Sequence, residues 1–134
     1  EYDPAAALHH ANRAALSLGQ GGRLRYSLAA GAARAGSAFV ILPGFAGSRP
    51  GVRLGALHLP VNLDSRSWIM LGAFPALFTG SLDKGGRATT SLTLPGGLPP
   101  ALQGWTLTTA ALLVDISRPA FTGVTNEENL DFIP

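Results

Sequence analysis

No cysteine occurs anywhere in the chain, so disulfides and thiolate metal ligands are both excluded. Charge is scarce too: Asp, Glu, Lys and Arg make up 13% of the 134 residues, about half the usual share. A small domain has much surface to cover, so a charge-poor chain leaves apolar area exposed or buries it against a partner. Acid is missing altogether from residues 4–63, which carry Arg13, Arg23, Arg25, Arg34, Arg49 and Arg53. From Asp115 onward the balance reverses, with Glu127, Glu128 and Asp131 set against Arg118. The basic residues are dispersed rather than clustered among aromatics, and the net charge is only +2. That pattern argues against a nucleic-acid partner. No apolar run approaches the roughly 18 residues a membrane helix needs, so no transmembrane span is expected. The chain begins at Glu1, and the expectation is a mature or excised piece of an exported protein.

What the chain does have is punctuation. Its 17 Gly and 10 Pro are spread along the whole length, which suits many short strands joined by turns. RLRYSLAA alternates Leu24, Tyr26 and Leu28 against Arg23, Arg25 and Ser27 after a Gly-rich turn, the pattern of a two-sided strand. GSAFVIL and SWIML (67–71) read as buried strands, and Asp83-Lys84-Gly85-Gly86 as a hairpin turn before ATTSLTL. WTLTTAALLVD (105–115) is the longest strand candidate, and FTGVT and LDFI close the chain. The predicted fold is all-β: a β-sandwich of jelly-roll or Ig-like type with eight or nine short antiparallel strands over residues 14–134. A closed barrel is the alternative. Residues 1–13 stand apart as a short helix, capped by Asp3 and Pro4, or as an extended arm.

The search for chemistry returns little. PGFAGSRPG (43–51) lacks the Gly-Lys-Ser/Thr ending of a phosphate loop and misses the Gly-x-Ser-x-Gly hydrolase elbow, so it reads as a corner after the AFVIL strand. His9 and His10 point in different directions on a helix or a strand, and are read as solvated or interface histidines rather than metal ligands. Asp64, Asp83 and Asp115 fall at turns and strand ends, where aspartate bonds local backbone. Glu127, Glu128 and Asp131 lack the spacing of a calcium loop. No catalytic, metal-binding or cofactor-binding residue is assigned, and the chain is not expected to be an enzyme.

The segments LSLGQGGRLRYSL, AGSAFVILPGFAGSRPGVRLG, LHLPVNLD, GSLDKGGRATTSLTLPGGLPPALQGWTLTTAALLVD and VTN, in that order, resemble a recurrent domain of unknown function in exported proteins of planctomycete-type bacteria. The likeness covers roughly residues 14–134. It implies an extracellular all-β domain, commonly at the C-terminal end of longer exported chains, with no activity or catalytic residue to carry over. EYDPAAALHHANR and the acidic tail EENLDFIP depart from the pattern. The resulting expectation is a secreted structural subunit or adhesive module at the cell surface. It would assemble with copies of itself head to tail, as in a filament or surface layer, by strand addition through a terminal segment. Tyr2, Leu8, Leu130, Phe132 and Ile133 are the candidate assembly residues. The alternative is a carbohydrate-binding accessory module of an exported enzyme, contacting surface or matrix polysaccharide through Trp68 and Trp105.

Overall fold

A computed structural model describes residues 8–54, 57–115, 117 and 120–134. Among them are eleven strands: β1 (Leu8–Ala11), β2 (Ala15–Ser17), β3 (Gly22–Ala29), β4 (Ala38–Gly44), β5 (Val52–Leu54), β6 (Leu57–Leu59), β7 (Thr79–Ser81), β8 (Arg87–Leu94), β9 (Thr106–Asp115), β10 (Ala120–Val124) and β11 (Glu128–Ile133). Two helices, α1 (Ser65–Ala73) and α2 (Pro75–Phe78), lie between β6 and β7. The molecule is thus mostly strand, as expected.

Three sheets form. The first has the order β1-β3-β8, and the second runs β2-β11-β9-β4-β7, with β10 joined to β9; β5 and β6 make a separate ribbon. The strand count exceeds the eight or nine expected, and not every pairing is antiparallel. β2 runs parallel to β11, with Leu16 opposite Phe132. Three-residue strands such as β2, β5 and β7 are too short to show an alternation in sequence, which is why the count came out low.

Alternation decides what is buried. In β3, Leu24, Tyr26 and Leu28 turn inward and Arg23 and Arg25 outward. They meet Phe39 and Ile41 of β4, Leu107, Ala111 and Leu113 of β9, and Leu130 and Phe132 of β11 in one core. The opposite face of β9 is buried as well, where Ala110 and Leu112 join Leu42, Leu59 and Val61 in a smaller cluster. Burial on both faces explains the unbroken apolar run Ala110–Val114 within β9. Each fully buried Leu or Phe contributes about 1.5–3 kcal/mol over its exposed state.

Three local expectations are corrected. SWIML is the middle of α1, not a strand. A short apolar run looks alike in either state, and here Asp64 decides: its carboxylate accepts from the N–H groups of Arg66 (2.9 Å) and Ser67 (3.3 Å). The Ser67 hydroxyl accepts the Asp64 N–H in return (3.1 Å), completing a capping box. The turn at Asp83 forms as expected but makes no hairpin, because β7 pairs with β4 while β8 pairs with β3. It hands the chain from one sheet to the other. The Asp83 carboxylate accepts from Gly85 and Arg87 N–H (2.8 and 2.9 Å), and Gly86 sits at φ +74° with the Gly31 carbonyl where a Cβ would lie. Finally, β1 is extended and pairs with β3 over Leu8–Ala11, so the described part of the N-terminal segment is not a helix. Residues 1–7, including Tyr2, lie outside the described residues, so the helix-or-arm question for them does too.

Candidate binding surface around helix α1

α1 packs against β4 and stands between two apolar hollows. The first, about 360 Å³, is walled by Phe45, Ile69, Met70, Leu98 and Trp105, with Arg66 at its side. The second, about 350 Å³, is walled by Leu42, Leu63, Trp68, Leu71, Leu112 and Phe121. α1 supplies both, because residues one apart on a helix point about 100° away from each other. Trp68 and Ile69 are more than half exposed, at 56% and 69%, as is Phe121 at 53%. A helix whose bulkiest apolar side chains face outward is inverted relative to an ordinary surface helix.

The two tryptophans do not share a platform. Trp105 meets Phe45 edge-on at 5.2 Å, and the Arg66 guanidinium lies 5.3 Å from the Trp105 ring and 5.7 Å from that of Phe45. Arg66 is held there by the carboxylate of Asp64 at 2.8 Å. That hydrogen bond, ahead of any other influence, keeps the Asp64 carboxyl below its usual pKa. Trp68 belongs to the other hollow. Arg66, Ile69, Phe45 and Phe121 were not singled out from sequence. Asp64-Ser65-Arg66-Ser67 was the available signal: an N-cap with Ser at the third helical position turns SWIML into a helix and so turns Trp68 and Ile69 outward.

Four of the five candidate assembly residues fall among the described residues. Leu130 and Phe132 are buried in the core, and β11 has β9 on one side and β2 on the other. Ile133, at the end of that strand, is 44% exposed. Leu8 lies in β1 opposite Ala29. The outward edge of β1 is also occupied. The His9 N–H donates to Oδ1 of Asn126 and the Asn126 amide donates to the His9 carbonyl, both at 2.9 Å. The Ala11 N–H donates to Oε1 of Glu128 at 2.8 Å. Side chains here do the work of a neighbouring strand along β1, and β2 pairs with Asp131–Ile133 of β11.

The histidine pair splits as a strand requires. His10 is outside, 3.5 Å from the Glu128 carboxylate. His9 is buried rather than solvated, which corrects the sequence reading. Its ring lies 4.9 Å from that of Tyr26, and Nε2 is 2.9 Å from the Thr109 hydroxyl. Burial, with a smaller contribution from His10, pushes the His9 pKa down to about 4, so the ring is neutral. Burial likewise lifts Tyr26 to about 12.

The remaining polar residues serve local structure. Asp115 accepts from the N–H and hydroxyl of Ser117 at the end of β9. Asp131 accepts from the Thr106 hydroxyl at 2.7 Å. PGFAGSRPG is a corner built around Asn62, whose amide donates to the Ala46 and Arg49 carbonyls (2.8 and 2.6 Å) and whose Oδ1 accepts from Gly51 (2.8 Å). Among the described residues no three His, Asp or Glu side chains converge as a metal site, and no helix is long and apolar enough to cross a membrane.

Comparison with protein-family models finds no match to this chain, and comparison with curated proteins finds none either.

Proposed function

We propose that this chain is an extracellular structural or adhesive module, not an enzyme, that associates with copies of itself through the apolar surface flanking α1. On this reading the two larger sheets layer as a sandwich around the shared core, and the surface relation to exported bacterial domains rests on the turn and strand segments quoted above. One observation carries the proposal: α1 holds Trp68 and Ile69 out in solvent directly beside two apolar hollows. The same surface supplies bulky projections and hollows of matching chemistry, so a second copy of this chain is its fitting occupant. If a projection of one copy enters a hollow of the next without closing a ring, the assembly grows head to tail. The reading moves the contact away from the terminal strands, whose edges are used inside the molecule. The three aspartates considered for catalysis are each engaged in a cap or turn, which also favours a non-catalytic role.

Sedimentation velocity over a range of concentrations tests this. The chain is expected to form assemblies larger than a dimer, and Ile69→Asp is expected to reduce them. An unchanged mass distribution in that variant would overturn the proposal.

Polysaccharide binding is the second reading, favoured by the exposure of Trp68. A sugar site needs hydrogen-bonding groups around its stacking ring, and the walls beside Trp68 are apolar. Quenching of tryptophan fluorescence by a polysaccharide panel, lost in Trp68→Ala, is its test.

A further inference from the structure

Among the described residues β8 carries a long edge that neither a strand nor a capping side chain closes. β1 is closed by Asn126 and Glu128, and β11 by β9 and β2. β8 pairs with β3 through eight unbroken residue pairs, from Gly22 opposite Leu94 to Ala29 opposite Arg87, and with no other strand. Its backbone orientation follows from neighbouring bonds. The Asn12 N–H donates to the Arg25 carbonyl, so Arg25 faces β1, and alternation turns Leu24 and Tyr26 toward β8. Their partners Leu92 and Thr90 therefore face β3. Thr89, Ser91 and Thr93 then point their N–H and C=O groups away from the sheet, and among the described residues nothing bonds them. Arg87, one step earlier, is already held by Asp83.

Exposed edges of this length are ordinarily blunted by a lysine, a proline or a bulge. Residues 88–94, ATTSLTL, contain none of these. α2 packs against β8 and places Leu77 and Phe78 in the core. The side chains along the outward edge are small hydroxyls, and Thr89, Ser91 and Thr93 are exposed.

The geometry points to β8 as an isologous interface, pairing antiparallel with β8 of a second copy about a two-fold axis at Ser91. The stretch is self-complementary in that arrangement. Ser91 meets Ser91 of the other copy, Thr89 meets Thr93, and the hydroxyl pairs are of the kind that stabilises antiparallel neighbours. Each outward residue exchanges both backbone bonds, about six in all. Arg87 falls opposite Pro95, beyond the paired residues. Like charge does come close to the axis, because Arg23 donates to the Ser91 hydroxyl at 3.2 Å, so the dimer is expected to tighten as salt screens that repulsion. An acidic foreign strand is the competing occupant, because Arg23 and Arg25 border this edge. The chemical symmetry of the edge about Ser91 favours the second copy.

This inference rests on the self-association reading but uses a different surface, so the two separate experimentally in an Ile69→Asp background. The expected result is a dimer that Ser91→Pro weakens by about tenfold or more, with an unchanged circular dichroism spectrum, because the lost N–H points away from β3. Register is tested by cross-linking, with no native cysteine to interfere. Paired Ser91 Cα atoms would lie about 5.5 Å apart, within disulfide reach. Under mild oxidation Ser91→Cys should form a covalent dimer at least tenfold faster than Thr89→Cys, which faces Thr93 and not its own copy. Equal rates, or a dimer indifferent to Ser91→Pro, would overturn the interface. An Ile69→Asp chain that is monomeric while the parent chain assembles overturns this inference and leaves the proposed function standing. A parent chain that is only a dimer, with or without Ile69, overturns the α1 surface and supports β8. A monomeric parent chain overturns both, and uptake of an acidic peptide by that monomer would give the edge to a foreign strand.

Discussion

β1 and β8 lie on either side of β3, yet among the described residues one outer edge is sealed and the other bare. The sealed edge has no neighbouring strand. Asn126 presents an amide that donates and accepts as a peptide group does, and Glu128 takes the next N–H along. The comparison teaches that an edge is closed by chemistry rather than by position in a sheet. Two well-placed polar side chains remove the pairing potential of β1, while the regular run of Thr, Ser and Leu from Thr89 to Leu94 leaves that of β8 intact.

The largest way to break this contrast is to loosen the wall that carries the cap. β11 begins at Glu128 and is anchored by Phe132, which is 7% exposed. Phe132→Ala should cost about 4 kcal/mol, read from the urea midpoint of the monomeric Ile69→Asp, Ser91→Pro chain. A residue serving assembly alone would leave that midpoint unmoved.

Acid acts next, on the β1 side. His9 titrates at about 4 in the folded chain against 6.5 for the free side chain. As pH falls, the unfolded chain takes up this proton first. The stability associated with neutral His9 is therefore complete above pH 6.5 and is lost between 6.5 and 4, by about 3 kcal/mol. Denaturant titrations across that window should show the slope, and His9→Leu should flatten it. A parent chain with flat stability from pH 6.5 to 4 would refute the assignment.

The smallest effect sharpens the comparison most. Asn126→Ala removes the two bonds to His9 and should cost about 2 kcal/mol. It also uncovers backbone on β1. Hydrogen exchange at the His9 amide should then accelerate toward the rate at Ser91 in the monomeric chain, while Leu24 and Tyr26 stay protected. If the His9 amide remains slow, something other than Asn126 closes that edge.

Much of the β framework was legible because its pattern is local. Leu24, Tyr26 and Leu28 alternate against arginines, and the apolar run of β9 announces a strand buried on two faces. What was not legible depends on partners distant in sequence. Nothing near Asp83 says that its turn joins two sheets instead of two paired strands. Leu130 and Phe132 look like donor residues until β2 arrives in parallel beside them. His9 seems solvated until Tyr26 and Thr109 cover it. The candidate surface was half visible: Trp68 and Trp105 were picked out, but their separation into two hollows followed from α1. That helix was hidden by an apolar run of ambiguous period, although its cap at Asp64 was in plain sight.

The parallel ladder between β2 and β11 has a consequence for how the chain acquires its shape. Ala15–Ser17, near the start, has no sheet to join until Asp131–Ile133 is in place, and the groups that shield β1 come from positions 126 and 128. Early segments must therefore wait for late ones, and contacts so far apart along a chain close slowly. Until residues 126–133 are in place, β1 and β2 stay unshielded, and those residues are the latch that closes both.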